Sequence, residues 1–302
     1  VWAAYQEYLT RLKQRGLVTY TQLPGLMLDF LRSNPDITYE YDTVIVDEAQ
    51  DLHSTALKLA RQLVKNTTTG EGLVLLADPA QSIYHRGVPW TQSDIEITGG
   101  RTRVLSKNFR NSREILDAAR GVIEACESLK EASEYVPPTS TNRTGLMKPV
   151  LTVCDSPYDE LVTLTSEIVR LCQGGLYRPG DFAVLARTDK HLQEVESILA
   201  ERDVPCRHFR SDEFEVLENY VKLITMHSAK GLEFPAVMLL GVNEGVIPFN
   251  NPDEEQLDQD RKLLYVGMTR AADRLYIYHS KGQTSRFLHD IQEGTCITRK
   301  AH

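Results

Sequence analysis

Two hydrophobic rhythms alternate along the chain. The opening stretch "VWAAYQEYLTRLKQRG" places Trp2, Tyr5, Leu9 and Leu12 at helical intervals, with Gly16 positioned as a C-cap. A second short helix is expected from Thr21, as N-cap, to Arg32, with Pro24 in its first turn and "SNP" ending it. The rhythm then changes. "YDTVIVDEAQD" reads as a buried strand with a β-branched run from Thr43 to Val46, and "STALKLARQLVKN" as a helix with Leu57, Ala60, Leu63 and Val64 on one face. "GLVLLADPAQ" is a second apolar strand ending at Asp78. Strand–helix–strand with strands buried on both faces predicts a parallel, helix-covered sheet.

The pattern restarts near Arg101 with "RTRVLSKNFRNSREILDAARGVIEA", a short strand feeding a long helix. Residues 131–149 are rich in Pro, Ser and Thr and read as a surface connection. Three further αβ units are expected: "PVLTVCD" with "YDELVTLTSEIVRLC", "DFAVLAR" with "KHLQEVESILAER", and "VKLITMHSAKG" with "PAVMLLGV". A helix at "DEEQLDQDRKLLYVGMTRAAD", a strand at "RLYIYHS" and a last short helix at "SRFLHDI" close the chain. No repeat at solenoid spacing is present. Two α/β lobes, split near residues 100–103, are therefore expected.

With 302 residues there is room for about two domains with proper cores. The net charge of −8 rules out wholesale positive charge, so any nucleic-acid contact must come from a local basic groove. No apolar run approaches the roughly 18 residues of a membrane span. The five cysteines are odd in number, far apart and without a CxxC pair, which argues against a zinc ribbon or disulfide framework and suits a reducing cytoplasm. The chain starts with Val1 inside an amphipathic helix, so it is expected to be a piece of something longer.

Chemistry concentrates at the strand ends. A parallel α/β sheet binds ligands at the carboxyl ends of its strands. Asp47 there can hold Mg²⁺, Glu48 can orient or deprotonate a water, and the second strand delivers Asp78 and Gln81 to the same edge. Taken alone, a strand ending in Asp-Glu reads equally well as acid at the start of the next helix. Two such strands in succession weaken that alternative.

"VIVDEAQD", "LLADPAQSIYHRG", "LSKNFRNSREIL", "ITMHSAKGLEFPAVMLLGVNEGVIPF" and "DRKLLYVGMTRAADRLYI" occur in that order and resemble motifs II to VI of the UvrD/Rep-type superfamily-one DNA helicases. The lead-in "AYQEYLTRLKQRGLVTYTQL" resembles the helical segment before motif II. The resemblance implies two RecA-like, P-loop NTPase-type parallel-sheet lobes, the first incomplete. Residues 1–35 would be the end of a helical accessory subdomain, 36–102 the C-terminal part of the first lobe with motifs II and III, and 103–302 the second lobe. It implies ATP and Mg²⁺ as cofactors. Asp47 is similar to the family's magnesium aspartate, Glu48 to its catalytic glutamate and Gln81 to its γ-phosphate-sensing glutamine. Arg110 and Arg270 are similar to its two γ-phosphate arginines, and Glu233 to a glutamate near the nucleotide ribose. Guanidinium forks suit a transition state that loads charge on equatorial oxygens. For single-stranded DNA, Thr225, His227 and Ser228 would hold phosphates, while Tyr84 and Phe287 match positions that stack on bases.

Three departures from the family pattern stand out. No GxxxxGK[ST] occurs, so nothing in these 302 residues can wrap the β- and γ-phosphates. The large accessory insert ahead of motif V is absent, and motif III is one residue shorter around the DNA-stacking tryptophan, where Trp90 either substitutes or serves the core. The leading expectation is an ATP-dependent 3′–5′ helicase or single-strand translocase acting on 3′-tailed duplex, with an N-terminal fragment or partner supplying the phosphate loop. The runner-up is a non-catalytic helicase-like subunit that binds DNA or a partner. A metal nuclease built on Asp47, Glu48 and Asp51 lacks a second carboxylate cluster.

Overall fold

The computed structural model describes residues 1–37, 41–65, 71–83, 93, 95, 101–130, 135–140, 147–210 and 214–301. They fall into two compact units, one drawn from Val1–Asp78 and Gly87–Arg103, the other from Pro79–Arg86 and Val104–His302.

In the first unit, α1 (Trp2–Gln14) ends as its pattern predicts, with Gly16 just beyond it at φ +64°. Helix α2 (Leu23–Ser33) starts one residue later than expected, with Gln22 at the N-cap position and Pro24 in the first turn. Strand β1 (Val44–Val46) pairs in parallel with β2 (Leu73–Leu75), and α3 (Ser54–Gln62) crosses between them, burying Leu57 and Ala60. Gly72 makes this pairing possible. It adopts φ +94°, its carbonyl accepts from the Val44 N–H at 2.9 Å, and a Cβ there would collide with the Asp42 carbonyl. The expectation that both faces of these strands are buried fails: Ile45 is 65% and Val74 43% exposed. Side chains alternate across a strand, so a single helix packed on one side leaves the other set open among the described residues.

The second unit is built on a seven-stranded sheet, all of its pairings parallel, in the order β11-β5-β10-β9-β6-β8-β7. Its strands are β5 (Val150–Cys154), β6 (Phe182–Ala186), β7 (Cys206–His208), β8 (Val221–Thr225), β9 (Phe234–Leu240), β10 (Ala271–Ser280) and β11 (Ile297–Lys300). A separate short parallel pair joins β3 (Lys107–Asn108) to β4 (Thr139–Ser140). All five residues of β6 are buried, as a central parallel strand requires. Ala183 and Leu185 face one core with α4 (Arg113–Glu124) and α8 (Glu254–Thr269). Phe182, Val184 and Ala186 face the other, with α6 (Pro157–Gln173) and α7 (Asp189–Glu201). A fifth, four-residue helix of this unit, α5 (Glu127–Lys130), follows α4. Helix starts follow their caps: Ser156 accepts from the Asp159 N–H at 3.1 Å and Asp253 from the Gln256 N–H at 2.8 Å. The last helix expected at "SRFLHDI" is a single 3-10 turn, Arg286–Asp290. The α/β class and parallel sheets agree with the expectation from the sequence.

Pro79–Arg86 groups with the second unit, because Ala80 and Ile83 are buried in the core that α4 and α8 line.

Candidate nucleotide and nucleic-acid site

In the first unit β1 delivers Asp47 and Glu48 at its carboxyl end. Glu48 sits at φ 52°, a left-handed conformation that costs a non-glycine residue about 1 kcal/mol or more. It is held there locally. Its N–H donates to Asp47 Oδ1 at 2.9 Å, and its carboxylate accepts from Gln50 Nε2. Gln50 is buried, and its own Oε1 accepts from the Asp78 N–H at 3.0 Å. One amide therefore ties the acid after β1 to the backbone after β2. Gln50 was not among the expected site residues, although "DEAQ" contains it. Asp47 is exposed, and a single exposed carboxylate suits Mg²⁺, which keeps most of its waters and takes one or two protein carboxylates. No group of three or more potential ligands occurs among the described residues.

In the second unit two expected phosphate-facing residues meet. Arg270, fully buried at the end of α8, donates from Nη2 to Gln81 Oε1 at 3.0 Å. Its Nε donates to Val266 O at 3.1 Å and Nη1 to Leu232 O at 3.2 Å. Lys230 Nζ donates to the Gln81 carbonyl at 2.6 Å. Gln81 is thus gripped by its side chain and its backbone. Arg110 pairs through Nε with Glu233 Oε2 at 2.6 Å, both side chains exposed. Asn111 explains why Arg110 lies near this cluster. Its Nδ2 donates to Thr269 O at 2.8 Å and Ala271 O at 2.7 Å, straddling Arg270, and the Ser112 N–H donates to Ala272 O at 2.9 Å. The segment after β3 is therefore pinned to the junction of α8 and β10. Asn111 was missed because its partners are backbone carbonyls roughly 160 residues away, which no local pattern encodes.

The turn after β8 gathers Thr225, His227 and Ser228. Thr225 Oγ1 donates to Ser228 Oγ at 3.0 Å and accepts from the Ser228 N–H at 3.3 Å. Burial, and secondarily the Arg187 guanidinium, push the His227 pKa below its ordinary value. Tyr84 and Trp90 lie outside the described residues. Phe287 requires a correction as a base-stacking residue. It is fully buried in the core with the Arg261 guanidinium 4.5 Å from its ring centre, so neither ring face is open to a base.

No helix among the described residues is long and apolar enough to cross a membrane. Residues 1–98 match the family model for the UvrD/REP helicase N-terminal domain, and residues 208–282 that for the UvrD-like helicase C-terminal domain. A protein named "Probable DNA helicase" from Mycoplasma pneumoniae is 26% identical across 99% of this chain and 56% of its own length. The ATP-dependent DNA helicase PcrA of Leuconostoc citreum is 47% identical over 22% of this chain and 9% of its own, and that of Bacillus subtilis 40% identical over 24% and 12%. The chain thus spans little more than half of the Mycoplasma relative. Among solved structures, the C-terminal domain of a possible DNA helicase from Lactobacillus plantarum aligns over 63% of this chain and 98% of its own, with 17% identity and a TM-score of 0.46. The two matched models are those of the N- and C-terminal domains of UvrD-type helicases, and they fall along this chain in that order.

Proposed function

We propose that the chain is the motif II to VI portion of an ATP-dependent DNA helicase or single-strand translocase moving 3′ to 5′. The observation that carries this reading is the Gln81–Arg270 hydrogen bond, which joins a motif III glutamine to a motif VI arginine 189 residues away. Asp47 would hold Mg²⁺ and Glu48 would orient the attacking water. Magnesium, when bound, supplies charge neutralisation at the phosphates. Arg110 would take charge that develops on the γ-phosphate, and Gln81 and Arg270 would report its presence to α8. Thr225, His227 and Ser228 would hold DNA phosphates through hydroxyl, imidazole and backbone donors, with no demand on base identity. The phosphate loop would come from a segment outside these 302 residues, in the same polypeptide or a partner.

ATP hydrolysis with and without single-stranded oligonucleotide tests this. The chain alone should turn over at background rate, and a segment bearing a GxxxxGK[ST] strand–loop–helix should restore DNA-stimulated hydrolysis. Arg110→Ala should then cost at least roughly a hundredfold in kcat. Robust turnover by the isolated chain carrying both Asp47→Ala and Arg110→Ala would contradict the assignment.

A further inference from the structure

Arg187 has no part in the sequence motifs described above. It is the first residue after β6, and its side chain is 17% exposed. Its Nη2 donates to Asp260 Oδ1 at 3.0 Å. Asp260, on α8, is 1% exposed and is itself fixed, accepting from the Phe249 N–H at 2.8 Å and from Gln256 Nε2 at 3.0 Å. The other end of the guanidinium meets His227. Nη1 lies 3.1 Å from Nδ1 and 3.1 Å from Nε2. A donor in the ring plane and equidistant from both nitrogens would collide with the C–H between them. Equal short distances therefore put the guanidinium nitrogen over the face of the imidazole.

We propose that Arg187 is a positioning residue for single-stranded DNA: anchored to α8 by Asp260, it sets one guanidinium nitrogen over the His227 ring and fixes the orientation of the 225–228 turn. This rests on the reading of that turn as a DNA contact. With one guanidinium nitrogen over the ring and the other on Asp260, the imidazole has little freedom to rotate, whereas a lysine's single ammonium could not hold both partners. Among the described residues, Arg187 from the end of β6 disfavours protonation of His227 and Asp260 from α8 favours it. Asp260 lies on the helix that ends at Arg270, so the imidazole is braced against the element that carries the nucleotide-facing arginine.

The test uses the full chain and the variants Arg187→Gln, Arg187→Lys and His227→Ala. Three quantities are measured: the His227 titration by imidazole NMR, affinity for a fluorescein-labelled oligo(dT) by anisotropy, and thermal melting. In the parent chain His227 should titrate below the ordinary histidine value. Arg187→Gln should raise that titration and weaken oligonucleotide binding by roughly tenfold, as His227→Ala should. Arg187→Lys should keep the low titration yet fail to restore affinity, separating the two-armed contact from charge. The NMR readout is independent of DNA, and a merely structural role for Arg187 would lower melting without moving it in this pattern. An unchanged His227 titration in Arg187→Gln overturns the proposal. So does a parent chain that binds the oligonucleotide, loses affinity in His227→Ala and is indifferent to Arg187→Gln. A parent chain that does not bind at all overturns the DNA reading itself.

Discussion

The bond between Gln81 and Arg270 can be weighed by a double-mutant cycle. Arg270 is fully buried, and the Nη2–Oε1 distance of 3.0 Å is good geometry for a charged donor. A hydrogen bond to a charged group contributes about 1.5–3 kcal/mol net, so about 2 kcal/mol is expected for this pair. Arg270→Ala removes more. Leu232 O and Gln81 Oε1 lose this donor, while Val266 O keeps the Thr269 hydroxyl at 3.1 Å. With the volume lost as well, that variant should cost about 4 kcal/mol. Gln81→Ala should cost about 2 kcal/mol.

If the two residues act through each other, the double variant costs about 4 kcal/mol, whereas independent residues would cost about 6. Urea unfolding followed by far-UV ellipticity reads the difference as about 1 M in midpoint, given slopes of about 1–3 kcal/mol per molar. Single and double variants whose costs add to within about 0.5 kcal/mol would refute the coupling. The cycle needs no nucleotide, so it examines the geometry separately from the activity proposed for it.

Phe287→Ala should lower stability by about 3–5 kcal/mol, because the ring is fully buried, yet leave the oligonucleotide affinity of the folded chain unchanged; lost affinity with unchanged stability would restore it as a base-stacking residue. His279 is buried on β10 with Thr284 Oγ1 3.1 Å from its Nδ1, and burial pushes its pKa below the ordinary 6.5. Its unfolded form therefore binds the extra proton first, so its contribution is whole above about pH 6.5 and falls as the solution is acidified towards the folded pKa. His279→Gln should flatten the urea midpoint between pH 7.5 and 5.5; an unaltered slope would exclude it as the source. Gln50→Ala should leave the Asp78 N–H without that acceptor and cost about 1–3 kcal/mol in the first unit, lowering kcat of the complete motor more than it raises KM.

Much of the second unit was legible because its strands are apolar throughout. A run such as "FAVLA" can be satisfied only by cover on both faces, and the helices between such runs carry cap residues at Ser156 and Asp253 where the apolar period begins. The short strands β7 and β11 were not legible. They flank the sheet with three and four residues, and their pairing is decided by neighbours rather than by their own pattern. Phe287 was misplaced for a related reason. An aromatic near a closing turn has the same local signature whether it faces a base or fills a core, and only its complete burial, with Arg261 over the ring, distinguishes the two. Gln50 and Asn111 were hidden because a side-chain amide acquires a role from backbone groups brought close by the fold. Arg187 was hidden because its two partners lie 40 and 73 residues further along the chain.

The position of α8 gives these separate contacts a common physical basis. Asp260 through Thr269 are ten consecutive buried residues, which surround the last turns of the helix with packed neighbours on every side. A helix so enclosed has no soft face along which to bend, and cores transmit displacement because they are close-packed. Asp260 and Arg270 are separated by about 15 Å along its axis at 1.5 Å per residue. The first holds Arg187 against His227, and the second grips Gln81 while Asn111 clasps the carbonyls on either side of it. A rigid rod with one charged grip near each end cannot shift at one end without moving the other. Loss of the Asp260 anchor should therefore alter how Gln81 and Arg270 respond to nucleotide even though Asp260 touches neither. Asp260→Asn would show this as a weakened effect of a non-hydrolysable ATP analogue on oligonucleotide affinity, measured in the complete motor, where Arg187→Gln should weaken the same effect. Intact nucleotide control in Asp260→Asn would mean that the two ends of α8 act independently.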